Sequence, residues 1–180
     1  MHRFKLFSFL IAVSLIQTSG CSWMARRTFR EAKGASAELT PVDASGAGNF
    51  SNIAGVQATT PRSRLGNLVP GEFISTFPTA CRKRLVDGKD APLAGAGQPL
   101  QIGSEVMWYH HRKGIGVVTG EKSYAVMLLD LSAGGRNLGR VQIVASSGAS
   151  RTDAADMADA MAEELANWIR GRQGKKKASD

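Results

Sequence analysis

The chain has 180 residues, with 23 Lys and Arg against 15 Asp and Glu and a formal net charge of +8. That length holds one domain with a core plus a tether, and excludes several independent domains. A basic balance admits nucleic acid, anionic lipid or acidic polymers as partners, so the compartment has to decide among them.

The first residues speak to the compartment. His2, Arg3 and Lys5 make a positive start, and Leu6 to Ile16 is an apolar run broken only by Ser8 and Ser14. That run is too short to cross a bilayer, which takes about 20 residues. Thr18, Ser19 and Gly20 are small, as a signal peptidase needs of a chain lying extended in a narrow cleft, and Cys21 follows. The segment Leu15-Ile16-Gln17-Thr18-Ser19-Gly20-Cys21 resembles the bacterial lipoprotein box, with Thr18 where leucine is usual. The resemblance implies a signal peptide over 1–20, cleavage before Cys21 and acylation of its sulfur. Ser22, not Asp, follows the cysteine, which by likeness to sorted lipoproteins implies the outer membrane, facing the periplasm. Ala35-Ser36-Ala37 imitates an ordinary cleavage site but lies beyond Arg26, Arg27 and Arg30, too far from the apolar run. An exported chain does not meet nucleic acid. The expected partners are the membrane, through lipid on Cys21, and envelope proteins, with a homo-oligomer also admitted.

A lipid on Cys21 leaves Cys81 as the other cysteine. Cys81 falls on an apolar helical stripe and reads as a small buried hydrophobe. Positive charge gathers at Arg26, Arg27, Arg30 and Lys33, and at Arg170, Arg172 and Lys175 to Lys177. Both runs read as solvated segments able to touch anionic headgroups.

Residues 21–49 are rich in Ala, Gly, Ser and Arg and read as a flexible tether. Phe50 to Thr59 is a weak strand. A helix is expected from near Pro70, with Phe73, Phe77, Cys81 and Leu85 on one stripe. Pro78 predicts a kink or an irregular first half, and Asp87-Gly88-Lys89 ends the helix. From Leu100 to Arg112, Leu100, Ile102, Val106 and Trp108 alternate with Gln101, Glu105 and Tyr109, the pattern of a strand with Trp108 inward. Tyr124 to Leu131 is nearly all apolar, as in a central strand covered on both faces. A turn over 132–137 leads to a strand from Leu138 to Ser146, with Val141, Ile143 and Ala145 on one face. The last helix is capped by Ser150 or Thr152, carries Ala154, Met157, Ala158, Met161, Leu165, Trp168 and Ile169 inward, and stops at Gly171. The reading is an α+β domain over 50–171, in the order β-α-β-β-β-α, followed by a basic disordered tail over 172–180. About four strands form a mixed sheet with two helices on one face, and the first strand lies parallel to the second across a right-handed crossover.

This element order, with the apolar strand ending in Asp130-Leu131-x-x-Gly134-Gly135-x-x-Leu138-Gly139, resembles small envelope lipoproteins grouped as domains of unknown function. Those are similar to the periplasmic domain of the curli secretion-channel lipoprotein and to the N-terminal domain of the Tol–Pal β-propeller protein. The resemblance spans about residues 50–170. It implies an assembly or accessory module and carries over no active site.

Candidate chemistry is sparse. His110 and His111 are neighbours in a strand and point to opposite faces, so they do not chelate one ion. The glycines of Gly114 to Gly120 imitate a phosphate loop, but a strand rather than a helix follows, which reads as a turn or bulge. Asp156, Asp159, Glu163 and Glu164 read as the solvated face of the last helix. Trp108, Tyr109 and Trp168 are core residues, or else the lining of a sheet–helix groove. No residue pattern asks for a metal or cofactor, and no catalytic residue is expected. The expected function is a lipid-anchored, non-enzymatic assembly or accessory module. The alternative is a periplasmic carrier or sensor holding an apolar or anionic small ligand in the sheet–helix groove.

Overall fold

A computed structural model describes residues 34–43, 50, 52–111, 122–148 and 154–174. Two helices pack on one face of a mixed sheet. The strands are β1 (Ser36–Pro41), β2 (Ile53–Ala58), β3 (Arg62–Ser63), β4 (Gln98–His110), β5 (Tyr124–Ala133) and β6 (Arg136–Ser146). The helices are α1 (Gly71–Arg82), extended by a π-helical turn over Lys83–Asp87, and α2 (Ala154–Gly174). The strand order is β1-β6-β5-β4-β2, with β3 also paired to β4.

The α+β class is as the periodicity predicts, and β2, α1, β4, β5, β6 and α2 follow in the expected order. β2 and β4 are parallel neighbours joined through α1, and β4, β5 and β6 form an antiparallel meander. The β5–β6 hairpin turns on Gly134 and Gly135, at φ +55° and +76°. A two-residue turn with positive φ at both positions matches the strand twist. Three residues past Gly135, Leu138 is the extra residue of a bulge, because Leu131 faces Gly139 while Ser132 faces Asn137. The glycine-rich motif of this segment therefore encodes a turn and the bulge that follows it.

The sheet has two more strands than expected. β1 lies inside the segment read as a flexible tether over 21–49 and pairs antiparallel with β6, Ser36 opposite Ser146 and Pro41 opposite Val141. Ala37 and Leu39 turn inward and pack against the core, while Ser36, Glu38 and Thr40 are exposed. That pattern is the two-residue period of a half-buried strand. β3 has only two residues, too short for any periodic signal.

The core lies between sheet and helices. α1 contributes Phe73, Phe77, Ala80, Cys81 and Leu85, and α2 contributes Met157, Ala158, Met161, Ala162, Leu165, Ala166 and Ile169. Facing them are Leu100, Ile102 and Val106 of β4, Ala125, Met127, Leu129, Leu131 and Ala133 of β5, and Val141, Ile143 and Ala145 of β6.

Three expectations are corrected. β5 is covered on one face only: Tyr124 and Asp130 are exposed and Val126, Leu128 and Ser132 half-buried, because both helices occupy the other side. Around Pro78 α1 is one continuous element, and the irregularity falls at its end, in the π turn. α2 does not stop at Gly171 but runs to Gly174. Its last turns are tied to the loop before β4, where Gln173 Nε2 donates to Pro92 O at 2.9 Å and Arg170 Nη2 donates to Asp90 O at 3.0 Å. The expected caps Ser150 and Thr152 lie outside the described residues, as does the glycine-rich stretch Gly114 to Gly120.

Candidate interaction surface

The face of the sheet away from the helices carries the most distinctive chemistry. In β4, Val106 sits opposite Met127, but the next paired residue, Trp108, sits opposite Val126. Met107 is thus inserted as a β-bulge, and every side chain after it changes face. The outcome reverses the expected pair: Trp108 is 48% exposed and Tyr109 is 8% exposed. Tyr109 enters the core edge-on to Phe73, with ring centroids 5.6 Å apart. Burial raises the pKa of its phenol, and Glu72 adds to the rise.

The bulge places Trp108 and His110 on the outer face, stacked with centroids 5.8 Å apart and planes at 11°. Along the ladder, Trp108 is followed by Val126, Val144 and Glu38, and His110 by Tyr124, Ser146 and Ser36. Met107, Trp108, Tyr124 and Val144 are all exposed large hydrophobics. Beside them, Ser36, Glu38, Tyr124, Val144, Ser146 and Glu164 line an open hollow of about 700 Å³. Clustered exposed aromatic and apolar side chains with a polar rim mark interaction sites, and Trp and Tyr contribute disproportionately to binding energy.

Other candidates are dispersed. Trp108, Tyr109 and Trp168 do not line one groove. Trp108 is on the outer face and Tyr109 is in the core, while Trp168 packs edge-on to Phe50 at 5.7 Å with Arg172 over its ring at 4.2 Å. Cys81 is fully buried, and desolvation raises its thiol pKa far above the ordinary value, which keeps it protonated. His110 stacks on Trp108 on the outer face, and His111 is exposed. No group of three His, Cys, Asp or Glu side chains among the described residues is placed to hold a metal. No helix among them is long and apolar enough to cross a membrane. Cys21 lies outside the described residues.

The α2 carboxylates are not simply solvated. Arg84 reaches across from the π turn, with Nε 3.1 Å from Asp159 Oδ1 and Nη2 bonded to Asp159 Oδ2, and Nη2 is also 3.3 Å from Glu163. These residues are 75 positions apart in the chain, so no local sequence pattern reports the pair. The hydrogen bond from Arg84 holds the Asp159 carboxyl below its ordinary pKa. A depressed folded-state pKa stabilises the fold above the unfolded value near 3.9 and loses that contribution as pH falls through the lowered value. Asp159→Asn should lower stability by about 1 kcal/mol at pH 7, since the pair is partly exposed. Urea unfolding of both proteins over a series from pH 7 into acid should show the difference shrink as pH falls through the lowered pKa; an unchanged difference would exclude the ion pair as its source.

The sheet with two helices on one face defines the protein as an α+β domain, and solved structures share that architecture. No family model matches the chain and no curated protein matches it. A dodecamer of a PelC point variant from Paraburkholderia phytofirmans is similar at a TM-score of 0.50 and 8% identity, over 76% of this chain and 97% of that one. A second dodecamer of PelC from the same organism aligns at a TM-score of 0.43 and 10% identity, over the same shares. At 8% identity the first of these is a likeness of fold alone.

Proposed function

We propose that this chain is a lipid-anchored envelope protein, attached through Cys21, that works by binding partners or assembling and not by catalysis. The observation that carries the reading is the aromatic patch of Met107, Trp108, Tyr124 and Val144 on the helix-free face of the sheet. A β-bulge turns Trp108 outward there, although an uninterrupted ladder would have buried it. The segment leading to Cys21 supports the anchor, and the order of elements supports kinship with the envelope accessory modules it resembles. The PelC variant of similar fold is a dodecamer, which makes self-association the first arrangement to test.

The test is crosslinking of intact membranes followed by mass spectrometry. The wild-type chain should give fixed crosslinks, to itself or to a defined partner, that include peptides of β4 and β5. Trp108→Ser with Tyr124→Ser, both exposed and outside the core, should reduce those crosslinks at least tenfold while leaving the amount of folded protein unchanged. A strictly solitary monomer in the membrane would sink the proposal.

A further inference from the structure

At the opposite side of the molecule from the strand ladder, the end of α1 meets the C-terminal half of α2. The π turn over Lys83–Asp87 departs from α-helical geometry, and single π turns recur at functional sites. The loop after it is held in place by Ala91 N–H donating to Gly88 O at 3.1 Å and Leu93 N–H donating to Leu85 O at 2.9 Å. Arg170 clamps the same loop from α2 through its bonds to Asp90 O. Between these walls is a hollow of about 310 Å³ whose charged lining is Lys83, Arg84, Lys89, Asp90, Glu163 and Arg170.

The charges in this lining are not balanced. Arg84 is occupied by Asp159 and Glu163. With Asp159 included, four cations, Lys83, Arg84, Lys89 and Arg170, stand against three carboxylates, Asp90, Asp159 and Glu163, which leaves an excess of one positive charge. Arg170 spends its donors on the neutral oxygens Asp90 O and Asn167 Oδ1. Lys83 is close enough to lower the pKa of Asp159, yet neither Lys83 nor Lys89 forms a salt bridge among the described residues. Gly88 floors the turn tightly, since a Cβ there would lie 3.2 Å from Lys83 O. A recessed, hydrogen-bonded cradle with excess positive charge suits a compact oxyanion, for which ammonium and guanidinium groups are the natural donors. We infer that this hollow binds a phosphate group, either free in solution or carried on a lipid headgroup.

The experiment uses the full chain with Cys21→Ser, which leaves no acyl group to bind vesicles by itself. Inorganic phosphate is titrated by calorimetry, and vesicles of phosphatidylcholine with and without phosphatidylglycerol are floated with the protein. Lys83→Glu with Lys89→Glu alters two exposed side chains and should leave the protein folded, with a lower thermal midpoint because Lys83 lies near Asp159. It should weaken binding at least tenfold. Arg62→Glu with Arg136→Glu makes the same change in net charge on the strands and should weaken binding less than threefold. Saturable, variant-sensitive phosphate binding assigns the site to a free phosphate. Variant-sensitive flotation with phosphatidylglycerol, without phosphate saturation, assigns it to a headgroup. Equal losses in the two double variants, or no loss in either, overturn the inference and leave these cations only as counterparts to the negative helix C-termini.

Discussion

Cys21→Ser is expected to move the protein almost entirely from the membrane fraction to the soluble periplasmic fraction. The reason is the size of the acyl contribution, about 0.8 kcal/mol per buried CH₂, so that removing the acyl chains removes nearly all membrane affinity. Basic residues at the surface contribute only about 1 kcal/mol each, too little to hold the chain alone. The check is fractionation of cells expressing wild type and variant, with intact-mass measurement of both. The wild type should carry the mass of the lipid and the variant should not. Membrane attachment of the variant with no mass difference would show that Cys21 is not the anchor.

The second large effect concerns two adjacent aromatic residues. Tyr109→Ala should cost about 3 kcal/mol of stability, as other truncations of buried aromatic side chains do, while Trp108→Ala should cost about 0.5 kcal/mol or less. The contrast follows from exposures of 8% for Tyr109 and 48% for Trp108. Denaturant unfolding of both variants reads it directly. The reverse ranking, with Trp108→Ala the costlier, would place the bulge elsewhere in β4.

The same pair shows what a sequence can and cannot carry. Alternation over Leu100, Ile102 and Val106 locates the strand and its inward face, because burial and the two-residue period coincide there. Beyond Val106 the chain reads Met107-Trp108-Tyr109. Three apolar residues in a row conceal an inserted residue, and the inward face is lost from that point. α2 was legible from Met157 to Ile169 because its stripe repeats over several turns. β1 was not, since only Ala37 and Leu39 distinguish it from the Ala- and Ser-rich residues around it. The aromatic patch was hidden for a different reason. Val126 looks like a core residue while Tyr124 to Leu131 is read as covered on both faces, and Trp108 looks like one while the inserted Met107 goes unseen. The Arg84–Asp159 pair depends on α1 and α2 packing together, which no local pattern reports. Cys21 is the opposite case, a candidate read wholly from the order of residues around it.

The strand formed by Ser36–Pro41 also alters how an anchored domain would sit. Its pairing with β6 takes up chain that would otherwise be slack, so the leash from Cys21 ends at Ser36 and not at Phe50. Fifteen residues (36 minus 21) reach at most about 50 Å, half of what the longer segment would allow. The leash enters at the ladder rung shared by Ser146, Tyr124 and His110. A lipid on Cys21 would therefore keep that rung within about 50 Å of the bilayer and confine the domain's search for partners to a layer over the membrane about half as deep as the longer segment would allow.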